Sequence, residues 1–218
     1  MIKACIFDMD GTTVNTLDSI AYYANAALRK FNLAPIETER YKILVGNGAR
    51  KLTERMIKES GGDAALHEPL LEYYNKTYDD GFLYLARPYD GICELLKSLK
   101  ERGIKTAILS NKPNPTTVKI AGSLFGSDLI DLCFGGRDGI PLKPDPTAVF
   151  EITEKLGVAP GECLYIGDTA TDIETGKNSG IFSIGVLWGF RGRAELEKAG
   201  ADAIVSSPNE ILLLAEKA

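Results

Sequence analysis

Apolar and polar positions in this chain follow two different periods. Short apolar runs bounded by turn residues recur at KACIF (3–7), TAILS (106–110), LCF (132–134), CLYIG (163–167), FSIGVLW (182–188) and AIV (203–205), and each reads as a strand. The later runs are separated by segments with apolar residues at helical spacing, such as GICELLKSLKERG (91–103) and PTAVFEITEKLG (146–157). Strands that alternate with helices predict an α/β fold built on a doubly wound parallel sheet, a Rossmann-like core.

One stretch breaks the alternation. Between the first run and Pro88 no convincing strand occurs, and the pattern reads as helices over 16–32, 37–44, 48–59 and 66–80. Pro35, Gly46-Asn47-Gly48 and Gly61-Gly62 interrupt them. A crossover between parallel strands needs only about a dozen residues, so this segment is large enough to be a small bundle of its own. The expected organisation is a catalytic core of residues 1–14 and 88–218 with an inserted α-helical cap domain over 15–87.

Composition narrows the function classes. With 218 residues, 44% of them hydrophobic, the chain should bury a sizeable core in one or two domains. Its formal charge of −5 argues against a nucleic-acid partner, which would call for a basic excess. The opening MIKACIFD is too short and too soon interrupted by charge for a signal sequence, and no apolar run approaches the roughly 20 residues of a membrane span. A cytoplasmic protein without membrane partners, a monomer or a homodimer, is expected. Cys5, Cys93, Cys133 and Cys163 lie far apart and His67 is the single histidine, which supports neither a zinc site nor a disulfide framework. Cys5, Cys133 and Cys163 fall in or beside apolar runs, where a thiol behaves as a small buried hydrophobe. With His67 alone in a polar stretch, catalysis must run on carboxylates, lysines and hydroxyls.

Such residues occur at the carboxyl ends of three runs: Asp8 and Asp10 after the first, Ser110 and Asn111 after TAILS, and Asp168 after CLYIG. In an open parallel sheet those ends line one crevice, where such folds bind ligands. Asp8 and Asp10 are two apart and leave the same face of an extended segment. Asp168 and Asp172 are four apart and share a helix face if Thr169 starts one. Two carboxylates about 4 Å apart repel by roughly 4 kcal/mol at an effective dielectric near 20, so the cluster calls for a cation. Oxygen-only ligands favour magnesium over zinc, and magnesium bridges phosphate oxygens, which points to a phosphorylated substrate. Lys143, between Leu142 and Pro144 in PLKPDP, supplies a point charge for a phosphate, and the Ser110 hydroxyl with the amides near Asn111 suits a phosphoryl oxygen. Singly, these residues also read as turn residues (Asp8, Asp10), caps (Ser110, Asp168) or a surface charge (Lys143). It is their order at successive strand ends that argues for one site.

Asp8-Met9-Asp10-Gly11-Thr12, Ser110-Asn111, Lys143-Pro144 and Gly167-Asp168-Thr169-Ala170-Thr171-Asp172 resemble the four ordered motifs of the haloacid dehalogenase superfamily, over the whole chain. Val45-Gly46-Asn47-Gly48-Ala49-Arg50 and Leu187-Trp188-Gly189-Phe190 resemble its phosphoglycolate phosphatase branch. The resemblance implies a phosphatase of small phosphorylated metabolites in which Asp8 is the nucleophile and forms an aspartyl phosphate. Asp10 then serves as general acid and later as base. It also implies magnesium held by Asp8, the Asp10 carbonyl and Asp168, Asp172 supporting the loop or Lys143, and Ser110 and Lys143 on the phosphoryl oxygens. Thr13-Val14-Asn15-Thr16 departs from the usual L-V-D-S, but Asn15 can still cap a helix.

Two readings remain for the cap: Gly46 and Gly48 bring the backbone near substrate while Arg50 pairs with a substrate carboxylate, or the segment is a plain turn with Arg50 in solvent. Trp188 and Phe190 read either as entrance or as core. A β-phosphoglucomutase-like sugar-phosphate mutase of the same fold and a phosphorylatable receiver module are the alternatives to a phosphatase.

Overall fold

The computed structural model describes residues 1–217. Its strands are β1 (Ala4–Phe7), the short β2 (Val14–Asn15) and β3 (Arg87–Pro88), β4 (Lys105–Pro113), β5 (Leu132–Gly136), β6 (Cys163–Gly167), β7 (Phe182–Val186) and β8 (Ala203–Val205). Six of them form one parallel sheet in the order β5-β4-β1-β6-β7-β8. From β1 the chain steps outward through β4 to β5, then returns to the other side of β1 for β6, β7 and β8. That reversal beside β1 is where a doubly wound sheet opens a crevice at its carboxyl ends.

Both faces of the sheet are covered, which explains why its inner strands read as unbroken apolar runs. Ala4, Ile6, Ala107, Leu109 and Tyr165 turn to one face and pack with Val149 and Ile152 of helix α7 (Thr147–Leu156). The alternate residues Cys5, Phe7, Ile108, Leu164 and Ile166 turn to the other and are equally buried. Burying each such Ile, Leu or Phe contributes about 1.5–3 kcal/mol. The remaining core helices are α5 (Ile92–Glu101), α6 (Asn114–Leu129), α8 (Ala170–Asn178), α9 (Arg193–Ala199) and α10 (Pro208–Lys217).

Two compact units result, Met1–Asn15 with Pro88–Ala218, and Thr16–Arg87. The second unit holds α1 (Leu17–Lys30), α2 (Tyr41–Leu44), α3 (Gly48–Glu59) and α4 (His67–Asp80), around buried Ile20, Leu28, Tyr41, Met56, Leu70 and Tyr74. Asn25 ties its turns together: its amide donates to the Ile36 carbonyl at 2.9 Å and its oxygen accepts from the Ile36 N–H at 2.8 Å and the Tyr41 hydroxyl at 3.0 Å.

The strand after α5 runs to Pro113 instead of stopping at Ser110, because a register shift between Leu109 and Pro113 lets extended backbone continue alongside β5. Ser110, Asn111 and Lys112 therefore lie within a strand. No helix among the described residues is long and apolar enough to cross a membrane. The four cysteines are free, and burial pushes the Cys163 thiol up to about 11 and that of Cys133 to about 12.

Candidate active site

The site is built from strand ends. Asp8 follows β1 directly, its N–H still paired to the Ile166 carbonyl of β6 at 2.8 Å. The chain then wraps tightly: the N–H groups of Thr12, Thr13 and Val14 all turn to the Met9 carbonyl at 3.2, 3.1 and 2.9 Å. The Thr13 hydroxyl donates to the Asp8 carbonyl at 3.1 Å. This loop is what aims Asp8 inward, where it is 7% exposed.

Lys143 meets Asp8 from the far side of the sequence. Its ammonium donates to Asp8 Oδ1 at 2.8 Å, to Asp172 Oδ1 at 2.8 Å and to the Leu109 carbonyl at 3.1 Å. A lysine has three protons to give, and here each has a protein acceptor. Lys143, expected to meet phosphoryl oxygens, is here held between the nucleophile candidate and Asp172. Asn111, expected to bind substrate, pairs here with the Lys143 backbone and so sets Lys143. Its oxygen accepts from the Lys143 N–H at 2.8 Å and its amide donates to the Lys143 carbonyl at 3.1 Å. The physical reason is geometric: a strand that runs on past Ser110 turns the Asn111 amide to the neighbouring backbone.

Asp168 ends β6 and is fully buried. Its Oδ1 accepts from the Thr12 hydroxyl at 3.1 Å and its Oδ2 from the Phe190 N–H at 2.7 Å. Gly11 and Gly189 make room for it; a Cβ on either would collide with the Asp168 carboxylate. Asp172 lies one turn further on in α8. Its Oδ2 accepts from the N–H and hydroxyl of Thr169 at 3.1 and 2.7 Å, so the same residue caps its helix and holds Lys143.

Asp8, Asp168 and Asp172 bring carboxylate oxygens within 4.8 Å of one another, all buried. The Lys143 ammonium pairs with two of the three, Asp8 and Asp172, while Arg191 acts on Asp168. Burial pushes the Asp8 carboxyl well above the usual carboxylate range; Lys143 opposes this, while Asp172 and Asp168 add to it. Burial raises Asp168 to about 7, reinforced by Asp172 and opposed by the Phe190 N–H and the Thr12 hydroxyl. Burial alone would lower Lys143, but Asp172 and Asp8 outweigh it and hold the ammonium well above its ordinary value. A buried, all-oxygen, over-negative cluster fits a hard divalent cation.

The Asp10 carboxylate stands outside this cluster and lies 3.2 Å from the Lys112 ammonium. The Ser110 hydroxyl, also buried, accepts from the Lys112 N–H at 3.2 Å. Lys112 was missed in the sequence because the strand was ended three residues early; Thr12 and the Phe190 N–H were missed as well, the latter because a main-chain donor leaves no residue-type signal. Trp188 donates to the Thr12 carbonyl at 2.9 Å and Phe190 is buried, so both brace the Asp168 loop.

Within the helical unit, Arg50 pairs with Glu68 through both guanidinium nitrogens, the second contact at 3.1 Å, and stands largely exposed. Of the two arrangements the sequence offered, the guanidinium is seen here in the exposed one, paired with Glu68. The Gly46–Gly48 segment takes positive φ at both glycines (120° and 81°). Arg55, unnoticed in the sequence, pins it by donating to the Leu44 carbonyl and the Asn47 side-chain oxygen, each at 2.7 Å. His67 Nε2 lies 2.9 Å from the Arg50 carbonyl and so serves the same surface.

A family model described as haloacid dehalogenase-like hydrolase matches residues 2–180. The chain belongs to that family. It is 31% identical over 213 residues to the phosphoglycolate phosphatase of Aquifex aeolicus, covering 98% of this chain and 96% of the relative. It is also 31% identical over 219 residues to the N-acetylmuramic acid 6-phosphate phosphatase of Pseudomonas aeruginosa, covering 100% and 96%. A crystal structure from Lactobacillus delbrueckii subsp. bulgaricus, carrying the phosphoglycolate phosphatase name, superposes with a TM-score of 0.93 at 30% identity over 98% of both chains. As a haloacid dehalogenase-like hydrolase with phosphatase relatives along its full length, the chain is a phosphoric monoester hydrolase. The receiver-module alternative falls with that membership, and the mutase alternative gains nothing from these relatives.

Proposed function

We propose that this hydrolase is a magnesium-dependent phosphatase that removes the phosphoryl group of 2-phosphoglycolate through an aspartyl phosphate on Asp8. The observation that carries the reading is the convergence of Asp8, Asp168 and Asp172 within 4.8 Å, with the Lys143 ammonium on Asp8. The phosphoglycolate phosphatase names of relatives at 30% identity and above support the substrate.

In this mechanism Lys143 holds Asp8 Oδ1, orients the carboxyl and favours its ionised form against the effect of burial. A carboxylate oxygen of Asp8 attacks phosphorus, forming a P–O bond as the bond to the glycolate oxygen breaks. Asp10 gives its proton to that oxygen, then takes one from the water that attacks the phosphoenzyme and returns Asp8 to its starting state. The Ser110 hydroxyl donates to a phosphoryl oxygen. Asp8, Asp168 and the Asp10 carbonyl would hold magnesium, which supplies neutralisation of phosphoryl charge when bound. Asp172 keeps Lys143 in place. Covalent catalysis here splits one difficult displacement into two.

Phosphate release from a panel of phosphorylated metabolites, measured with magnesium and again after chelation, tests the reading. Turnover should be greatest with 2-phosphoglycolate and vanish on chelation; undiminished release in chelator would overturn it.

A further inference from the structure

2-Phosphoglycolate carries a carboxylate as well as a phosphoryl group, and that carboxylate needs a cation. Arg50 is engaged by Glu68. The three protons of Lys143 go to Asp8, Asp172 and the Leu109 carbonyl. A different cation stands beside the proton donor: the Lys112 ammonium, 3.2 Å from Asp10 Oδ2, on a side chain only 8% exposed. We propose that Lys112 selects substrates whose alcohol carbon bears a carboxylate, the α-phosphooxy carboxylates, by pairing with that carboxylate while Asp10 protonates the leaving oxygen. The inference deepens the proposed function and rests on Asp10 being the proton donor.

Reach supports it. A proton donor must lie about 2.6–3.2 Å from the oxygen it protonates, which puts the neighbouring ammonium within about 6 Å of that oxygen. In an α-phosphooxy carboxylate the carboxyl carbon is two bonds from the leaving oxygen, so with bonds near 1.5 Å its own oxygens sit about 3 Å away. The gap left is one N–H···O contact. A carboxylate one carbon further along must order an extra rotatable bond to make the same contact, and an uncharged alcohol offers the ammonium nothing.

The backbone that carries this ammonium is fixed in the strand. The Lys112 N–H donates to Ser110 Oγ at 3.2 Å, and its carbonyl accepts from Thr117 Oγ1 at 3.1 Å. The same carbonyl packs against Gly135 so closely that a Cβ there would collide with it. A lysine held at its backbone and shielded from water discriminates strongly between an anion and a neutral group, because little solvent is present to screen the difference.

The test compares kcat/KM for 2-phosphoglycolate, 3-phosphooxypropionate and ethyl phosphate. The unmodified enzyme should favour 2-phosphoglycolate over each of the others by about 100-fold, the range seen when a buried charge pair loses one partner. Lys112→Gln should slow all substrates, since Asp10 loses its neighbour, but should cut 2-phosphoglycolate about 30-fold more than ethyl phosphate. Lys112→Arg should recover part of the preference. Equal losses in Lys112→Gln would overturn the proposal and leave Lys112 a positioning residue for Asp10. Equal turnover of the three esters by the unmodified enzyme, a measurement independent of how any variant folds, would overturn the substrate class while leaving the phosphatase reading standing. Release from none of them would remove the 2-phosphoglycolate reading and the inference with it.

Discussion

Carboxylates meet cations in both units of the molecule, with opposite consequences. At the strand ends, Asp8 and Asp172 share Lys143 away from water, the two contacts at 2.8 Å. On the helical unit, Arg40–Glu59, Lys51–Glu54 and Arg50–Glu68 pair in solvent. The exposed pairs lower the carboxyls of Glu59, Glu54 and Glu68, chiefly through the hydrogen bond each accepts. In the buried cluster, loss of hydration outweighs the partner, and the Asp8 and Asp168 carboxyls rise. A contact that looks equally good by distance is thus nearly inconsequential in one place and poised for chemistry in the other. Solvent decides which.

The largest effect should come from removing the charge at the centre of the buried cluster. Asp8→Asn keeps the shape and the Lys143–Asp172 contact, and should lower phosphate release by about 10⁴-fold or more while circular dichroism stays native. A residual rate above about a hundredth of the parent would remove Asp8 as nucleophile.

Next in size, Lys143→Met leaves Asp8 and Asp172 buried without their counter-charge and should destabilise the fold by about 3–5 kcal/mol in urea unfolding. An unchanged midpoint would mean that the buried cluster behaves like the surface pairs, and the comparison would fail.

The pH dependence of the metal-free protein sharpens the contrast. The Asp168 carboxyl titrates near 7 in the folded chain and near 4 when unfolded. The folded state therefore binds more protons between those values. Its contribution to stability is fully present below about pH 4 and is lost as pH rises toward 7. Melting temperature in chelator should fall by several degrees across that window, magnesium should lessen the fall, and Asp168→Asn should reduce it, the raised Asp8 carboxyl supplying the remainder. The smallest effect belongs to the helical unit: Arg50→Ala should leave the melting temperature unchanged and kcat/KM for 2-phosphoglycolate within about threefold, as for an exposed pair. A selective loss on that substrate would show that the guanidinium leaves Glu68 to serve it.

Much of this was legible in the residues. Asp8, Asp10 and Asp168 stood out because their order at successive strand ends is hard to explain singly, since a parallel sheet carries all such ends to one edge, and Lys143 stood out as a cation in the proline-flanked PLKPDP segment. What could not be read was partner choice. Asn111 was recognised as polar and near the site, but whether its amide meets substrate or the Lys143 backbone depends on where β4 ends. Arg50 was recognised as a cation, but Glu68 is eighteen residues away on the next long helix and nothing in the spacing joins them. Lys112 was passed over because, read alone, a lysine beyond a strand is ordinary surface.

By itself the sequence determined the periods, and through them the parallel sheet, the helical insertion and the residue types able to handle a phosphoryl group, since these follow from local propensity and from hydrophobic burial. Tertiary structure decided which carboxylate meets which cation and how much water stays between them. Charge interactions depend on separations of a few ångströms and on local dielectric, and neither is a property of any short stretch of chain.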